Sequence, residues 1–188
     1  SNATFAKYDD PLFWLDDSKI CNLCYKCNDP NVGFALNKNE SYVKCYMGDT
    51  GLLVSLAFNE NEIMEQQLYK QIMDERLSLN QGMIYENMIS QMIVAMGKKL
   101  YFYTRYSEEK HRNDIEIDFL LSNESKMNFK MYPFEVKSSK NYSVISLGRF
   151  KEIYGKKIAV PYIIHPKNYY KDGDIVKIPP YMFPFVFD

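Results

Sequence analysis

The sequence lacks any apolar run near the roughly 20 residues that a membrane-spanning helix requires, and no basic-then-apolar signal sequence opens it. Charge of one sign is not in excess either, because the chain has 23 Lys and Arg and 24 Asp and Glu. This balance excludes the strong overall positive field that draws a protein to nucleic acid or to anionic membrane. The sequence therefore predicts a cytoplasmic protein without a membrane partner, in which any nucleic-acid contact depends on a local surface.

A phosphate-binding loop for ATP is also missing. Residues 48–51 read Gly-Asp-Thr-Gly, but they lack the Gly-Lys-Ser/Thr end of a Walker A motif, whose lysine reaches the nucleotide phosphates. Asp49 or Thr50 is instead suited to cap the N-terminus of a helix, and a helix is predicted over residues 52–58. The chain itself is therefore predicted to hold no ATP.

The chain begins with Ser1-Asn2-Ala3, which is typical of the remnant left when a protease removes a purification tag. The native segment then starts at Thr4 without its own methionine, which predicts a fragment of a longer polypeptide. The 188 residues, 46% of them apolar, are enough for one globular domain with a real core, or for one domain with a short appendage.

The four cysteines raise a metal alternative: Cys21, Cys24, Cys27 and Cys45. A C-x2-C-x2-C run with a distant fourth cysteine is compatible with an iron–sulfur cluster or a thiolate zinc site. The surrounding residues favour a strand, however, in which Cys21 and Cys27 share one face while Cys24 points the other way. We therefore favour cysteines that act as small buried apolar residues, with metal binding left as the alternative.

The first third of the chain predicts an irregular lead-in followed by two strands. Residues 4–18 are aromatic and acidic, and Pro11 is expected to break any helix there. Residues 19–27 and 42–47 alternate in the manner of strands. Asp29-Pro30 and Gly33 predict a turn between them.

A long helical pattern covers residues 67–96, with a break near residues 80–82. Apolar residues recur in it at spacing four, which predicts an amphipathic helix packed on the core. The apolar stripe consists of Ile84, Met88, Met92 and Met96, widened by Ile89 and Ile93. Glu86 lies off this stripe and can face the edge of a cleft, and Gly97 is expected to end the helix.

Acidic residues and a lysine then fall on two predicted strands. In the run DIEIDFLL, strand alternation places Asp118 on the face opposite Ile117 and Phe119. Glu135 follows Asp118 by seventeen residues, and it shares a face of the next strand with Lys137. Because a carboxylate is costly to bury unpaired, Asp118 is expected to have a cation or a donor as its partner. The three groups converge if their faces match.

Such a cluster can hydrolyse a phosphodiester. Asp118 and Glu135 supply the hard oxygen ligands that Mg²⁺ prefers, and bound Mg²⁺ polarises a phosphoryl oxygen or lowers the pKa of an attacking water. Lys137 would orient or deprotonate that water, or stabilise the charge that develops on the phosphate. The alternative is an ordinary salt bridge between strand neighbours, since D-x(n)-E-x-K often arises by chance.

The C-terminal part predicts a helix over residues 143–154 and a buried strand over residues 157–164. A strand that follows a crossover helix should lie parallel to its sheet neighbour, which predicts a mixed α/β core. His165, at the end of this strand, is expected to have a structural role. The aromatic, proline-rich tail from Gly173 onward is expected either to cap the core or to cover a partner surface.

Five segments together resemble the C-terminal domain of a large family of predicted bacterial and archaeal AAA-type ATPases: YMGDTGLLVSL, IYENMISQ, YFYTRY, EIDFLL and FEVKSSKNYSVISLGRF. That domain is similar to the PD-(D/E)XK nuclease superfamily, and the resemblance covers most of the chain from about Asp16 onward. It implies a restriction-endonuclease-like α/β fold, in which helices flank a mixed β-sheet with a small N-terminal β extension. By motif, Glu86 matches the acid of the first helix, Asp118 that of the second strand, and Glu135 and Lys137 the E-x-K.

The resemblance also implies an organisation and a function. Residues 4–45 would be an extension or linker from the upstream ATPase region, and residues 46–188 the nuclease-like domain. ATP would bind only to the upstream module, which is the expected partner in the same polypeptide. The leading hypothesis is Mg²⁺-dependent hydrolysis of nucleic acid at the four matched residues. The alternative is a catalytically inactive regulatory module that binds nucleic acid or protein.

Overall fold

Two mixed β-sheets flanked by helices make up the protein, and the chain passes from one sheet to the other at Asp118. The structure, a computed structural model, describes residues 9–31, 33–58, 81–122, 130–139 and 141–187. Its mixed α/β architecture with N-terminal strands confirms the predicted fold class. Two sheets are present where one was expected. Among the helices so described, none is long and apolar enough to cross a membrane.

Four α-helices are present in these ranges: α1 Asp9–Asp17, α2 Thr50–Phe58, α3 Gln81–Ala95 and α4 Ile145–Tyr154. The strands are β1 Cys21–Cys27, β2 Lys38–Met47, β3 Leu100–Ser107, β4 Arg112–Ile117, β5 Phe119–Ser122, β6 Met131–Val136, β7 Tyr162–Ile164, β8 Tyr170–Asp172 and β9 Ile175–Ile178. Short 3₁₀ segments cover Phe34–Asn37, Gly155–Lys157 and Pro180–Phe187.

The first sheet has the strand order β2-β1-β3-β4. β1 pairs antiparallel with β2 and parallel with β3, and β3 pairs antiparallel with β4. The boundary predicted between residues 45 and 46 falls inside β2. Strands from both sides of that boundary therefore belong to one hydrogen-bonded sheet.

The second sheet has the order β5-β6-β7-β9-β8. β6, β7 and β9 run parallel, with antiparallel strands at both edges. The predicted parallel strand after the crossover helix is confirmed, although β7 is shorter than residues 157–164. It begins after Pro161, whose ring nitrogen cannot donate to a strand ladder. Phe183, in the 3₁₀ tail, is fully buried in the core, so the tail caps that core.

Pro11 lies inside α1, so the prediction that it breaks any helix there was wrong. It is the third residue of Asp9–Asp17. Amides in the first turn of a helix have no intrahelical acceptor, and the fixed φ of proline already suits a helix start. The helix then docks on β1, where the Leu23 amide donates to Asp16 Oδ1 at 3.1 Å.

Helix α3 begins at Gln81; the predicted helical residues 67–80 lie outside the described ranges. It ends at Ala95, and Gly97 terminates it as expected with φ +71°. The centre of the buried stripe differs from the prediction, because Ile89 and Ile93 are fully buried while Met88 and Met92 are only partly buried against the core. The buried face of α3 is therefore centred on Ile89 and Ile93. Glu86, three residues before Ile89, lies on the core side of the helix.

The run DIEIDFLL is not one strand, as the alternation predicted. β4 pairs with β3 in the first sheet and β5 pairs with β6 in the second, so the chain changes partners at Asp118. Ile117 packs in the core cluster around Phe150, whereas Phe119 packs in the cluster around Phe134. The two apolar neighbours of Asp118 therefore enter different cores, which strict alternation cannot produce.

Candidate active site at the junction of the two sheets

Asp118 occupies the point where the two sheets meet. Its Oδ2 accepts a hydrogen bond from the Val136 amide at 2.8 Å, which satisfies a backbone donor at the end of β6. The residue is only 7% exposed. Because Oδ2 is engaged, Oδ1 is the oxygen left to meet a cation.

Glu135 and Lys137 lie beside it, at the end of β6. Glu135 is 1% exposed, and Lys137 Nζ lies 2.9 Å from its Oε2. Lys137 is fixed at its backbone, because its amide donates to the Ile164 carbonyl of β7 at 2.8 Å. Neither Glu135 oxygen accepts a well-aligned hydrogen bond within the described ranges, although both are buried. The Lys137 ammonium is therefore the main counter-charge of a buried carboxylate.

Glu86 reaches the same junction from α3. Its Oε2 accepts a hydrogen bond from the Tyr46 hydroxyl at 3.0 Å. The neighbouring Asn87 fixes α3 to β2, because its side chain accepts from the Met47 amide at 2.7 Å and donates to the Met47 carbonyl at 3.1 Å. The structure thus brings all four predicted residues to one region, in which Asp118 and Glu86 both act electrostatically on Lys137.

Lys44 is the member of the cluster that sequence reasoning missed. Its Nζ lies 3.8 Å from Glu86 Oε2, 3.5 Å from Glu116 Oε1 and 3.8 Å from Asp118 Oδ1. The sequence carries one signal, since Lys44 and Tyr46 share a face of β2 by alternation. The residues that they contact, however, lie 40 or more positions later in the chain. These residues are Glu86 on α3, Glu116 on β4 and Asp118 after β4.

Residues 81–182 match a protein family described as a domain of unknown function (DUF4143). The match covers more than half of the 188 residues. The chain belongs to this family. No curated protein matches it, and no solved structure does. Glu86, Asp118, Glu135 and Lys137 lie within the DUF4143 region, whereas Lys44 precedes it.

Burial dominates the electrostatics of the two central acids of the DUF4143 region. Burial, together with the negative charge of Glu86, raises the pKa of Asp118 to about 7 against the opposing effects of Lys44, the Val136 amide and Lys137. Burial also raises the pKa of Glu135, although Lys137 and the Leu147 backbone favour its charged form. Both carboxylates are thus held in surroundings that make an additional positive charge favourable.

For the two lysines, the neighbouring carboxylates outweigh the effect of burial on the pKa. Burial lowers the pKa of Lys44, but the carboxylates of Asp118, Glu86 and Glu116 outweigh it and the net pKa is raised. For Lys137, burial is likewise outweighed by Glu135, and the pKa is raised. Both ammonium groups therefore stay charged at neutral pH.

The donor set fits a divalent cation in its chemistry. Asp118 Oδ1 and the buried Glu135 oxygens are hard ligands, and the ammonium groups of Lys44 and Lys137 are their charged partners. Mg²⁺ needs only one or two carboxylates, because it keeps several of its waters. Within the part of the chain that the structure describes, no group of three or more His, Cys, Asp or Glu residues is placed to hold a metal ion. The candidate ligands are therefore the two carboxylates of Asp118 and Glu135, with waters as the remaining ligands.

Cys24 borders the cluster, because it is the register partner of Lys44 between β1 and β2 and the charges of Lys44, Asp118 and Glu86 act on its thiol. Cys21, Cys24 and Cys27 are buried in β1, which confirms the predicted strand, and Cys45 is exposed. His165 is fully buried, and its Nδ1 lies 3.5 Å from the Tyr142 hydroxyl. Burial lowers the pKa of His165.

Proposed function

We propose that this DUF4143 domain is a PD-(D/E)XK-like nuclease domain that hydrolyses phosphodiester bonds of nucleic acid with a divalent cation, Mg²⁺. One observation carries the proposal. Asp118 accepts a hydrogen bond from the amide next to Glu135, Lys137 pairs with Glu135, and Glu86 of α3 shares the Lys44 ammonium with Asp118. When bound, Mg²⁺ would polarise a phosphoryl oxygen and lower the pKa of an attacking water.

The roles of the side chains follow from their positions. Asp118 and Glu135 would hold the cation, which keeps waters as its remaining ligands. The Lys137 ammonium, fixed by its backbone bond to β7, can donate to a phosphoryl oxygen and stabilise the charge that develops there. Glu86, oriented by Tyr46, can accept a hydrogen bond from the attacking water.

The wider setting of the domain is part of the proposal. The resemblance implies a position at the C-terminus of an AAA-type ATPase, so ATP would act through an upstream module of the same polypeptide. Substrate would be nucleic acid, bound by a local surface, since the chain carries a net charge of only -1.

A cleavage assay tests the activity. Single- and double-stranded DNA and RNA are incubated with the protein and Mg²⁺ or Mn²⁺, and products are followed by gel electrophoresis. We expect Lys137→Met and Asp118→Asn to lower the cleavage rate by about 100-fold or more, as the loss of a transition-state contact does. Lys156→Met, at an exposed lysine outside the site, should cleave normally. Absence of cleavage on every substrate, or equal cleavage by Lys137→Met, contradicts the proposal.

A second candidate is a regulatory or binding module that retains the nuclease-like site without its activity. The observation in its favour is that the Lys44 ammonium already neutralises part of the acidic cluster. This candidate predicts nucleic-acid or protein binding that Asp118→Asn leaves unchanged, together with no cleavage. Binding to labelled nucleic acid is measured by fluorescence anisotropy for the unsubstituted protein and for Asp118→Asn. Unchanged binding without cleavage favours the binding module, whereas cleavage that Asp118→Asn loses favours the nuclease.

A further inference from the structure

We propose that Lys44 is an internal counter-cation of the acidic cluster, and that it competes with a divalent cation for Asp118. The proposal rests on the proposed function, because it concerns the same carboxylates. It adds a residue of β2 that lies outside the DUF4143 region. The affinity of the site for a metal ion then depends on the position of the Lys44 side chain.

The position of Lys44 carries the argument. One ammonium faces three carboxylates from different parts of the fold: Glu86 on α3, Glu116 on β4 and Asp118 at the sheet junction, at 3.5 to 3.8 Å. The Lys44 ammonium also lies 5.2 Å from the centre of the Phe102 ring, within cation–π range. The side chain of Lys44 is 26% exposed. It is thus held among the acids but has a route to solvent.

The two oxygens of Asp118 explain why the competition is direct. Oδ2 accepts from the Val136 amide, so a metal ion would approach Oδ1. Oδ1 is the oxygen that faces Lys44 at 3.8 Å. A divalent cation at a bonding distance of about 2.1 Å would therefore lie close to the ammonium. Two positive charges so near each other repel, and beside the buried Asp118 carboxylate they are only partly screened by water.

The same geometry predicts what removal of the ammonium does. Without it, Glu86, Glu116 and Asp118 lose their shared counter-charge, and a divalent cation becomes the best replacement. The metal-free protein should become less stable, and its affinity for a divalent cation should rise. A lysine with a purely structural role would give the first effect without the second.

Isothermal titration calorimetry with Mn²⁺ tests the proposal. We expect Lys44→Met and Lys44→Gln to bind Mn²⁺ about tenfold more tightly or better than the unsubstituted protein, because a like charge beside the ion is removed. Lys44→Arg keeps the charge and should bind no more tightly than the unsubstituted protein. Lys38→Met is the matched control, since Lys38 lies on the same strand but pairs with Glu40 at 2.6 Å.

Thermal unfolding supplies a second readout. In EDTA, both neutral variants should melt below the unsubstituted protein, and Mn²⁺ should raise their Tm by more than it raises that of the unsubstituted protein. A neutral variant that folds only with Mn²⁺ present also supports the proposal. Mn²⁺ affinity and Mn²⁺-dependent Tm shifts that are unchanged or smaller in both neutral variants overturn it.

These outcomes are independent of the cleavage assay. Tighter Mn²⁺ binding without cleavage supports the role of Lys44 and counts against the nuclease function. Cleavage by the unsubstituted protein, with Mn²⁺ affinity unchanged in the neutral variants, overturns the role of Lys44 and leaves the nuclease function standing.

Discussion

The Tyr46 hydroxyl donates a hydrogen bond of 3.0 Å to Glu86 Oε2, which joins strand β2 to helix α3 across 40 residues of sequence. Tyr46 is only 7% exposed, so the contact is shielded from water. Burial and the negative charge of Glu86 raise the pKa of the phenol well above its ordinary range. The phenol is therefore protonated, and able to donate, at neutral pH.

Tyr46→Phe should destabilise the protein by about 1–3 kcal/mol, because a partly buried carboxylate loses its hydrogen-bond donor. The free energy of unfolding from urea titrations measures the loss. Tyr106→Phe is the control, since Tyr106 is 57% exposed and should change stability by less than about 0.5 kcal/mol. Equal effects of the two substitutions would show that the Tyr46–Glu86 bond contributes nothing.

Asn87→Ala should destabilise the protein by about 2–4 kcal/mol. The substitution leaves the amide and the carbonyl of Met47 without their partner at 2.7 and 3.1 Å, and buried backbone groups without partners are costly. Urea denaturation checks the value. Gln81→Ala, at the exposed start of the same helix, should have little effect. A small loss for Asn87→Ala would mean that the bonds between Asn87 and Met47 contribute little to the docking of α3 on β2.

Asp118→Asn should change the pH dependence of stability in metal-free buffer. The pKa of Asp118 is raised from 3.8 to about 7 in the folded protein, so the native state holds a proton that the unfolded state releases. Its contribution is therefore full below about pH 4 and is lost as pH rises toward 8. We expect the stability of Asp118→Asn relative to the unsubstituted protein to increase over that range by roughly 1–4 kcal/mol.

The control for that prediction has the opposite sign. The hydrogen bond from Arg105 holds the pKa of Asp114 below its ordinary value, so the contribution of Asp114 is present at neutral pH and is lost in acid. Asp114→Asn should therefore lose stability relative to the unsubstituted protein as pH rises from about 3. Urea titrations in EDTA at pH 3, 4, 6 and 8 measure both trends. Parallel profiles for Asp118→Asn and the unsubstituted protein would contradict the buried position of Asp118.

Cys45 should react first with a thiol reagent such as Ellman's reagent. It is the exposed cysteine, whereas Cys21, Cys24 and Cys27 are buried. Burial raises the pKa of Cys21 to about 12 and that of Cys27 to about 11, and the thiolate is the reactive form. One fast thiol per chain is expected in the native protein, with four after denaturation. Cys45→Ser should abolish the fast reaction, and several fast thiols would contradict the burial of β1.

Local patterns predicted the parts of the structure that depend on neighbours in sequence. Strand alternation located β1, and Gly97 ended α3 as expected. The Asp49 side chain caps α2 by accepting from the Leu52 amide at 2.7 Å. The E-x-K motif could be read in the same way, because Glu135 and Lys137 lie on one short segment.

The remaining features depend on contacts that no local pattern contains. The break at Asp118 arises because β4 and β5 pair with strands of different sheets. Lys44 joins the cluster through β1, which places β2 in the first sheet with β3 and β4. Pro11 was misjudged for a simpler reason, since its effect depends on which turn of the helix it occupies.

Anomalous diffraction from crystals soaked in Mn²⁺ tests the central claim most directly. The claim is that Asp118 and Glu135 hold the divalent cation of a hydrolytic site. It predicts an anomalous peak within about 2.0–2.6 Å of Asp118 Oδ1 and a Glu135 oxygen, with Lys44 Nζ moved away from Asp118. Saturating Mn²⁺ that leaves no peak between these carboxylates, with Lys44 still in place, would contradict it.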